Sequence, residues 1–460
     1  MNFFQRDLDL RSREALMKGL KAGIVSLGCA KNLVDTEVML GILEQQGLDI
    51  VNDPAEAAVI IVNTCSFIAA AKEESINTIL QMAEYKKKGN CKALIVAGCL
   101  SQRYKNELLR ELPEVDALLG TGEWDRIAEA LQDVLGGKRA VFVGTAEGIY
   151  DGVQPRIPAT PSFSRYVKIA EGCDNCCSYC VIPAVRGNFR SRTIESIVAE
   201  VRLLAEQGVK EINLIAQDTT SYGRDLYGKP QLVKLLKELI PIEGIVWLRL
   251  LYCYPADFTD ELIELIAAEE KICKYIDLPL QHADNAILKA MGRRSTREEV
   301  LSLLGKIRRK LPDAALRTSF IVGFPGETEE QFNQLLSFVK SCRFDRVGVF
   351  MYSREEDTPA AALPGQIPEE VKEERYHLLM EAQMQISQEL NEALAGRKFS
   401  VLIEGENTGE PILYGRTERE APDIDGKVYL TKRAEITPGD MVFAEVTEGY
   451  AYDLSAEIIE

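Results

Sequence analysis

The chain has 460 residues, 46% of them hydrophobic, and 54 Lys and Arg against 71 Asp and Glu give a formal net charge of −17. That length calls for two to four domains, and no run of roughly 18 apolar residues offers a membrane span. Eleven cysteines against only two histidines, His282 and His377, exclude a disulfide scaffold and His-rich zinc hydrolysis; soft thiolates favour iron–sulfur clusters, with Cys-only zinc as competitor. The acidic balance suits a basic partner better than a phosphate backbone.

Residues 1–20 carry both Arg and Asp/Glu and lack an apolar core with a cleavage site, so they read as a loose tail and not a secretory signal, with Met17 as a candidate start. From 21 to 145, short apolar runs at Ala22 to Leu27, Ala58 to Asn63 and Lys92 to Ala97 precede helical stretches such as Ala69 to Lys88, and Val115 to Leu119 and Ala140 to Val143 continue the alternation. Such a pattern predicts an α/β fold, a parallel sheet with crossover helices, whose functional groups lie beyond the strands' carboxyl ends. Cys29, Cys65 and Cys99 each fall one to three residues after one of these strands. Three loops therefore bring one thiol apiece to one edge of the sheet.

Pro155, Pro158 and Pro161 mark 146–164 as a linker. Over 165–358 the alternation resumes, with strands near Tyr166 to Ala170, Glu211 to Ile215, Val246 to Leu251, Tyr275 to Leu278, Leu316 to Val322 and Arg346 to Tyr352. Six βα units suit a full or partial TIM-like barrel, again working at the carboxyl ends of its strands. Residues 359–396 read as a second linker and a long charged helix, and 397–460 as a small antiparallel β-barrel with strands at Phe399 to Glu404, Lys427 to Leu430 and Met441 to Val446.

The segment Glu171-Gly-Cys-Asp-Asn-Cys-Cys-Ser-Tyr-Cys-Val-Ile-Pro183 follows the first barrel strand. Cys173, Cys177 and Cys180 make C-x3-C-x2-C, three thiolates for three irons of a 4Fe–4S cube. The fourth iron stays open to chelate the amino and carboxylate groups of S-adenosylmethionine for one-electron cleavage. The competing arrangement is a zinc knuckle, because Cys176 completes C-x2-C-C-x2-C; adjacent thiols seldom ligate one zinc. Cys91, Cys253, Cys273 and Cys342 fall within strands or helices and read as buried structural residues.

Several further stretches carry a resemblance: Ser26-Leu-Gly-Cys-Ala-Lys-Asn-Leu-Val-Asp35, Asn63-Thr-Cys-Ser-Phe67, Ala97-Gly-Cys-Leu100, Ala216-Gln-Asp218, Leu278-Pro-Leu-Gln-His282 and Phe320-Ile-Val-Gly-Phe-Pro-Gly-Glu327. With the cysteine loop they resemble the radical S-adenosylmethionine (radical SAM) methylthiotransferases, from about Gly23 to the C-terminus. The opening motif is similar to the branch that modifies a ribosomal protein, with Thr36 where that branch has Ser. The resemblance implies an N-terminal cluster domain, a radical SAM partial (β/α)6 barrel and a terminal TRAM barrel. It implies two 4Fe–4S clusters, one on Cys173, Cys177 and Cys180 and an auxiliary, sulfur-presenting one on Cys29, Cys65 and Cys99. S-adenosylmethionine would be both radical precursor and methyl donor, bordered by Tyr179, Ile182, Gln217, Asp218, Gln281, Val322 and Gly323. His282 reads as a hydrogen-bonding neighbour and not a ligand.

The implied substrate is an aspartate of small-subunit ribosomal protein S-twelve, methylthiolated at its β-carbon to 3-methylthioaspartate. A flavodoxin or ferredoxin is the implied electron donor, the cytoplasm the implied compartment, and no membrane is involved. A tRNA adenosine methylthiotransferase is the nearest alternative, since TRAM barrels resemble RNA-binding modules. Residues 397–460 carry 7 Lys and Arg against 14 Asp and Glu, a balance that favours a basic protein over RNA. A two-cluster electron carrier and a non-catalytic ribosome-binding protein are the readings from other classes; neither needs a six-unit barrel with two cysteine triads.

Overall fold

The computed structural model describes residues 17–407, 409–433 and 435–459. Strands β1 (Lys21–Ser26), β2 (Asp49–Ile50), β3 (Val59–Thr64), β4 (Ala93–Gly98), β5 (Ala117–Leu119) and β6 (Ala140–Phe142) form one parallel sheet in the order β2-β1-β3-β4-β5-β6. β3 and β4 are buried along their whole length. Their alternate residues feed two cores: Ile61 and Ile95 pack with helices Ala30–Gln45 and Ile127–Leu135, Ile60 and Leu94 with helices Ala69–Lys88 and Cys99–Glu111. Covered faces explain why both strands are continuous apolar runs. Met17 is fully buried in the first of these cores, so residues 17–20 belong to this module and not to a tail; residues 1–16 lie outside the described residues.

The proline-rich connection that follows is tied down at both ends. Arg156 pairs with Glu37 of helix Ala30–Gln45 and with Glu200 of the next module, and Ile157 N donates to Glu37 O at 3.0 Å. Pro155 crosses that helix at Gly41, where any β-carbon would collide with it.

The second module is an open arc of six parallel strands. β7 (Ser164–Lys168), β10 (Glu211–Ile215) and β11 (Trp247–Leu250) form one half, and β12 (Tyr275–Asp277), β13 (Ala315–Val322) and β14 (Arg346–Met351) the other. A parallel bridge from Leu248 to Ile272 joins the halves. Two short paired strands, β8 (Ala170–Glu171) and β9 (Arg190–Ser191), clasp the ends of the loop that carries the second cysteine group.

Five strands, β15 (Lys398–Glu406), β16 (Ile412–Arg416), β17 (Val428–Thr431), β18 (Met441–Gly449) and β19 (Leu454–Ile458), close the C-terminal barrel in the order β15-β16-β17-β19-β18. All pairs are antiparallel except β17 with β19. The connection between β16 and β17 plugs the amino end of the six-strand arc. Arg416 Nη2 meets Glu211 at 2.7 Å, Arg249 holds the same carboxylate at 3.0 Å, and Tyr275 OH donates to Asp425 at 2.6 Å. The carboxyl end of the arc is left to the N-terminal module. No helix among the described residues is long and apolar enough to cross a membrane.

Candidate functional site

Cys29, Cys65 and Cys99 stand where three adjacent strands hand over to their helices. Cys29 is the N-cap of helix Ala30–Gln45, Cys65 follows β3 directly, and Cys99 opens helix Cys99–Glu111 after β4. Two glycines let the loops close in. Gly28 has φ +86°, and a β-carbon there would lie 2.7 Å from Cys65 Cβ and 3.0 Å from its Sγ; Gly98, at φ +90°, backs onto Asn63 and Thr64. Burial disfavours the Cys29 thiolate, but the charges of Lys31 and Arg186 and two backbone N–H groups outweigh it and lower the pKa. Burial pushes Cys65 up to about 12 and also raises Cys99; such thiols ionise when a metal replaces the proton.

The second triad lies in the loop clasped by β8 and β9. Cys173 N donates to Gly187 O at 3.1 Å, Ser178 N to Met291 O at 2.9 Å, and Ser178 O accepts from Ala360 N at 2.9 Å. Asn175 Nδ2 reaches Cys173 Sγ at 3.6 Å, and Arg293 Nη1 reaches Cys177 Sγ at 3.8 Å. Burial pushes Cys173 up to about 11 and Cys180 up to about 12. Cys176 takes a left-handed φ of 48° and its thiol is exposed.

All six of these cysteines line a single cavity of about 410 Å³, and Cys176 is outside it. Two thiol triads from different modules thus share one space. No group of three or more His, Cys, Asp or Glu among the described residues is arranged for a single metal ion.

Of the residues expected around S-adenosylmethionine, Tyr179, Ile182, Gln217 and Gln281 line the cavity. Gln217 Oε1 is buried without a partner while Nε2 donates to Glu171 at 2.6 Å, so one acceptor is left for a ligand. Asp218, Val322 and Gly323 are not brought to the cavity. Asp218 folds back to accept from Ser221 N at 3.1 Å and from Asn175 Nδ2 at 2.7 Å. Val322 is fully buried in the barrel core, and Gly323 N is held by Glu327 at 2.7 Å with Lys372 packed above it. His282 is buried, its Nδ1 accepting from Asp284 N at 3.0 Å.

The structure also assembles residues that the sequence did not point to. Asp35, Lys168, Glu171 and Arg186 form a buried quartet across the two modules. Lys168 Nζ meets Asp35, and Glu171 at 2.6 Å; Arg186 Nη1 meets Asp35 at 3.0 Å and Glu171 at 2.9 Å. Arg186 also donates to Asn32, whose Nδ2 donates to Thr64 O at 2.9 Å beside Cys65. The signal was present in part: Asn32 and Asp35, one turn apart, lie in the opening motif, and Glu171 begins the cysteine loop. Tyr252, Cys253 and Tyr254 also reach the cavity from the end of β11. Tyr252 and Gln281 line it with left-handed φ of 61° and 75°, backbone strain of the kind held at functional sites.

Comparison with known proteins agrees with this architecture. Residues 21–120 match the family model described as uncharacterized protein family UPF0004, 167–339 the radical SAM superfamily and 395–459 the TRAM domain. A radical SAM domain implies a 4Fe–4S cluster and S-adenosylmethionine, and a thiol-lined cavity with an unsatisfied amide oxygen fits both. The ribosomal protein uS12 methylthiotransferase RimO of Geobacter sulfurreducens is 53% identical over 442 residues, 95% of this chain and 98% of that one. The protein of the same name from Heliobacterium modesticaldum is 51% identical over 452 residues, 98% of each chain. Among solved structures, the radical S-adenosylmethionine methyltransferase TsrM of Kitasatospora setae shares the fold at TM-score 0.55 and 15% identity, over 86% of this chain and 80% of that one. Identity above one half over nearly the whole of both chains places this protein in the RimO family of radical SAM methylthiotransferases.

Proposed function

We propose that this chain transfers a methylthio group to the β-carbon of an aspartate in ribosomal protein uS12, giving 3-methylthioaspartate, and that it does so with two 4Fe–4S clusters. The observation that carries the reading is the single cavity walled by both thiol triads. Cys173, Cys177 and Cys180 hold one cluster, and Cys29, Cys65 and Cys99 the other. When bound, these clusters and S-adenosylmethionine supply the radical that removes a hydrogen from an unactivated carbon, and the sulfur and methyl that replace it.

The protein's own groups aim that chemistry. Tyr179, Ile182, Gln217 and Gln281, which line the cavity, would border S-adenosylmethionine there. Asp218 acts at one remove, fixing Asn175, which donates toward Cys173. Arg293 lies beside Cys177 and balances thiolate charge there. The two modules are also joined by Lys72 and Arg103, both paired with Glu355 at 2.8 and 2.9 Å. A cytoplasmic site and a flavodoxin- or ferredoxin-type electron donor follow from this reading.

The C-terminal barrel suggests a second substrate, tRNA, because TRAM domains resemble RNA-binding modules. Two observations favour the protein substrate. The barrel carries an excess of acidic residues, and Arg416 and Asp425 at the β16–β17 end engage the radical SAM module. Reconstituted enzyme given purified uS12 and total tRNA together, with both weighed by mass spectrometry, separates the two. One methylthio group in place of one hydrogen on uS12 is expected, and a gain on tRNA alone refutes the proposal.

A further inference from the structure

Among the described residues, three cations line the cavity: Lys31, Arg186 and Arg293. Arg186 is neutralised by Asp35 and Glu171. Arg293 donates to Pro279 O at 2.6 Å and turns toward Cys177 Sγ. Lys31 is different. Only 6% of its surface is exposed, yet among the described residues its ammonium has no carboxylate partner. Its neighbour is the ring of Tyr252, 3.2 Å from Nζ to the ring centroid. The ammonium opens onto the cavity, and a ring face holds its charge without cancelling it.

The ring is itself held in place. Tyr252 takes its left-handed φ of 61° with N donating to Asp277 Oδ2 at 2.8 Å and O accepting from Thr219 N at 3.0 Å. Lys31 lies two residues beyond Cys29, whereas Tyr252 belongs to the barrel end that faces the other triad. The free charge therefore stands at the seam between the two modules, inside the space they share.

We propose that Lys31 receives the side-chain carboxylate of the target aspartate and so selects the residue that is modified. This rests on the proposed function, in which the substrate is a protein aspartate. The reacting carbon is one bond from that carboxylate, so a charge-assisted hydrogen bond to the carboxylate fixes the carbon's position. Lys31 also favours the Cys29 thiolate, a duty it shares with Arg186 and two backbone N–H groups, and the test must separate the two roles.

The test uses holoenzyme carrying both clusters, as wild type, Lys31→Met and Lys31→Arg. Each is titrated with uS12 and with uS12 whose target aspartate is replaced by asparagine. Wild type should prefer the aspartate form by about 10- to 100-fold. Lys31→Met should lose that preference, and Lys31→Arg should retain most of it. Iron content and cluster EPR should stay near wild-type levels in Lys31→Arg, which keeps the charge beside Cys29, and Lys31→Met is compared with it at equal cluster loading. Four results would overturn the proposal: a wild type without preference, a Lys31→Met variant that keeps it, equal weakening toward both forms, or loss of N-terminal iron in Lys31→Arg. Wild type that never modifies uS12 refutes the functional reading instead, a failure separable from that of Lys31 alone.

Discussion

Replacing Arg186 by Met tests whether the two modules are welded by charge. The guanidinium is 1% exposed and faces Asp35, Glu171 and Asn32. Its removal leaves two buried carboxylates to share Lys168, one uncompensated negative charge in a site closed to water. Breaking a buried pair in this way costs about 3–5 kcal/mol. Asp35→Asn in the same chain removes the surplus charge, so the double variant should recover part of the loss, with a coupling of about 0.5–3 kcal/mol. Burial alone would raise the Glu171 carboxyl, but Arg186 and Lys168 hold it well below the usual range. A depressed carboxyl contributes stability above its unfolded pKa and loses it only as pH falls through the folded value. With Arg186 gone that depression is lost and burial raises a carboxyl instead, so the variant takes up a proton on folding and the cost of Arg186→Met should shrink as pH falls from about 8 to 5. The assay is urea unfolding of the metal-free protein read by fluorescence. Trp124 reports on the N-terminal module and Trp247 on the barrel, so a fall in both midpoints is expected. A midpoint shift worth less than about 0.5 kcal/mol, the scale of an ordinary surface change, would refute the argument.

Other expectations concern the thiols and the one buried imidazole. Gly28→Ala places a methyl against Cys65; it should lower iron bound at the N-terminal triad while leaving the EPR signal of the other triad in place. Cys176→Ser should bind iron as wild type does, because that thiol is exposed and outside the cavity, and Cys177→Ser should lose cluster iron. Burial pushes His282 down to about 4. Its folded form then binds a proton less readily than its unfolded form, which removes up to about 3 kcal/mol of stability as pH falls from about 6.5 to 4. Burial pushes Glu327, 3.9 Å away, up to about 6, which works in the opposite sense by about 2 kcal/mol between about pH 6 and 4.5. His282→Asn should thus turn a mild acid destabilisation into an acid stabilisation, read from urea midpoints at three pH values; an unchanged slope contradicts it.

Sequence carried the parts of this structure that depend on local pattern. β3 and β4 were legible because strands covered on both faces must be continuously apolar, and the cysteines were legible because they sit within three residues of such strands. What escaped depended on distant partners. The two-residue strand β2 has no pattern to read. β16 and β19 are five residues long and gain definition only from barrel closure. Asp218 reads as a cofactor contact because it follows a strand, and its carboxylate accepts from Ser221 N and Asn175 Nδ2, partners that no local pattern marks. Val322 faces the barrel core because residues alternate sides along β13, a phase that spacing did not set. The ion quartet pairs residues 35 and 186 across two modules, and Lys31 gains its meaning only from the ring of Tyr252. The proline-rich connection read as a tether by composition, whereas Arg156 ties it to both modules.

The central claim is that two cysteine triads around one cavity hold two clusters with separate tasks. Iron and sulfide per chain should be measured after anaerobic reconstitution of wild type, of the Cys29/Cys65/Cys99→Ala variant and of the Cys173/Cys177/Cys180→Ala variant. Each triple variant should hold half the wild-type iron and sulfide, and only the first should still form 5′-deoxyadenosine from S-adenosylmethionine and dithionite. Wild-type iron in either variant, or 5′-deoxyadenosine from the second, would contradict the assignment.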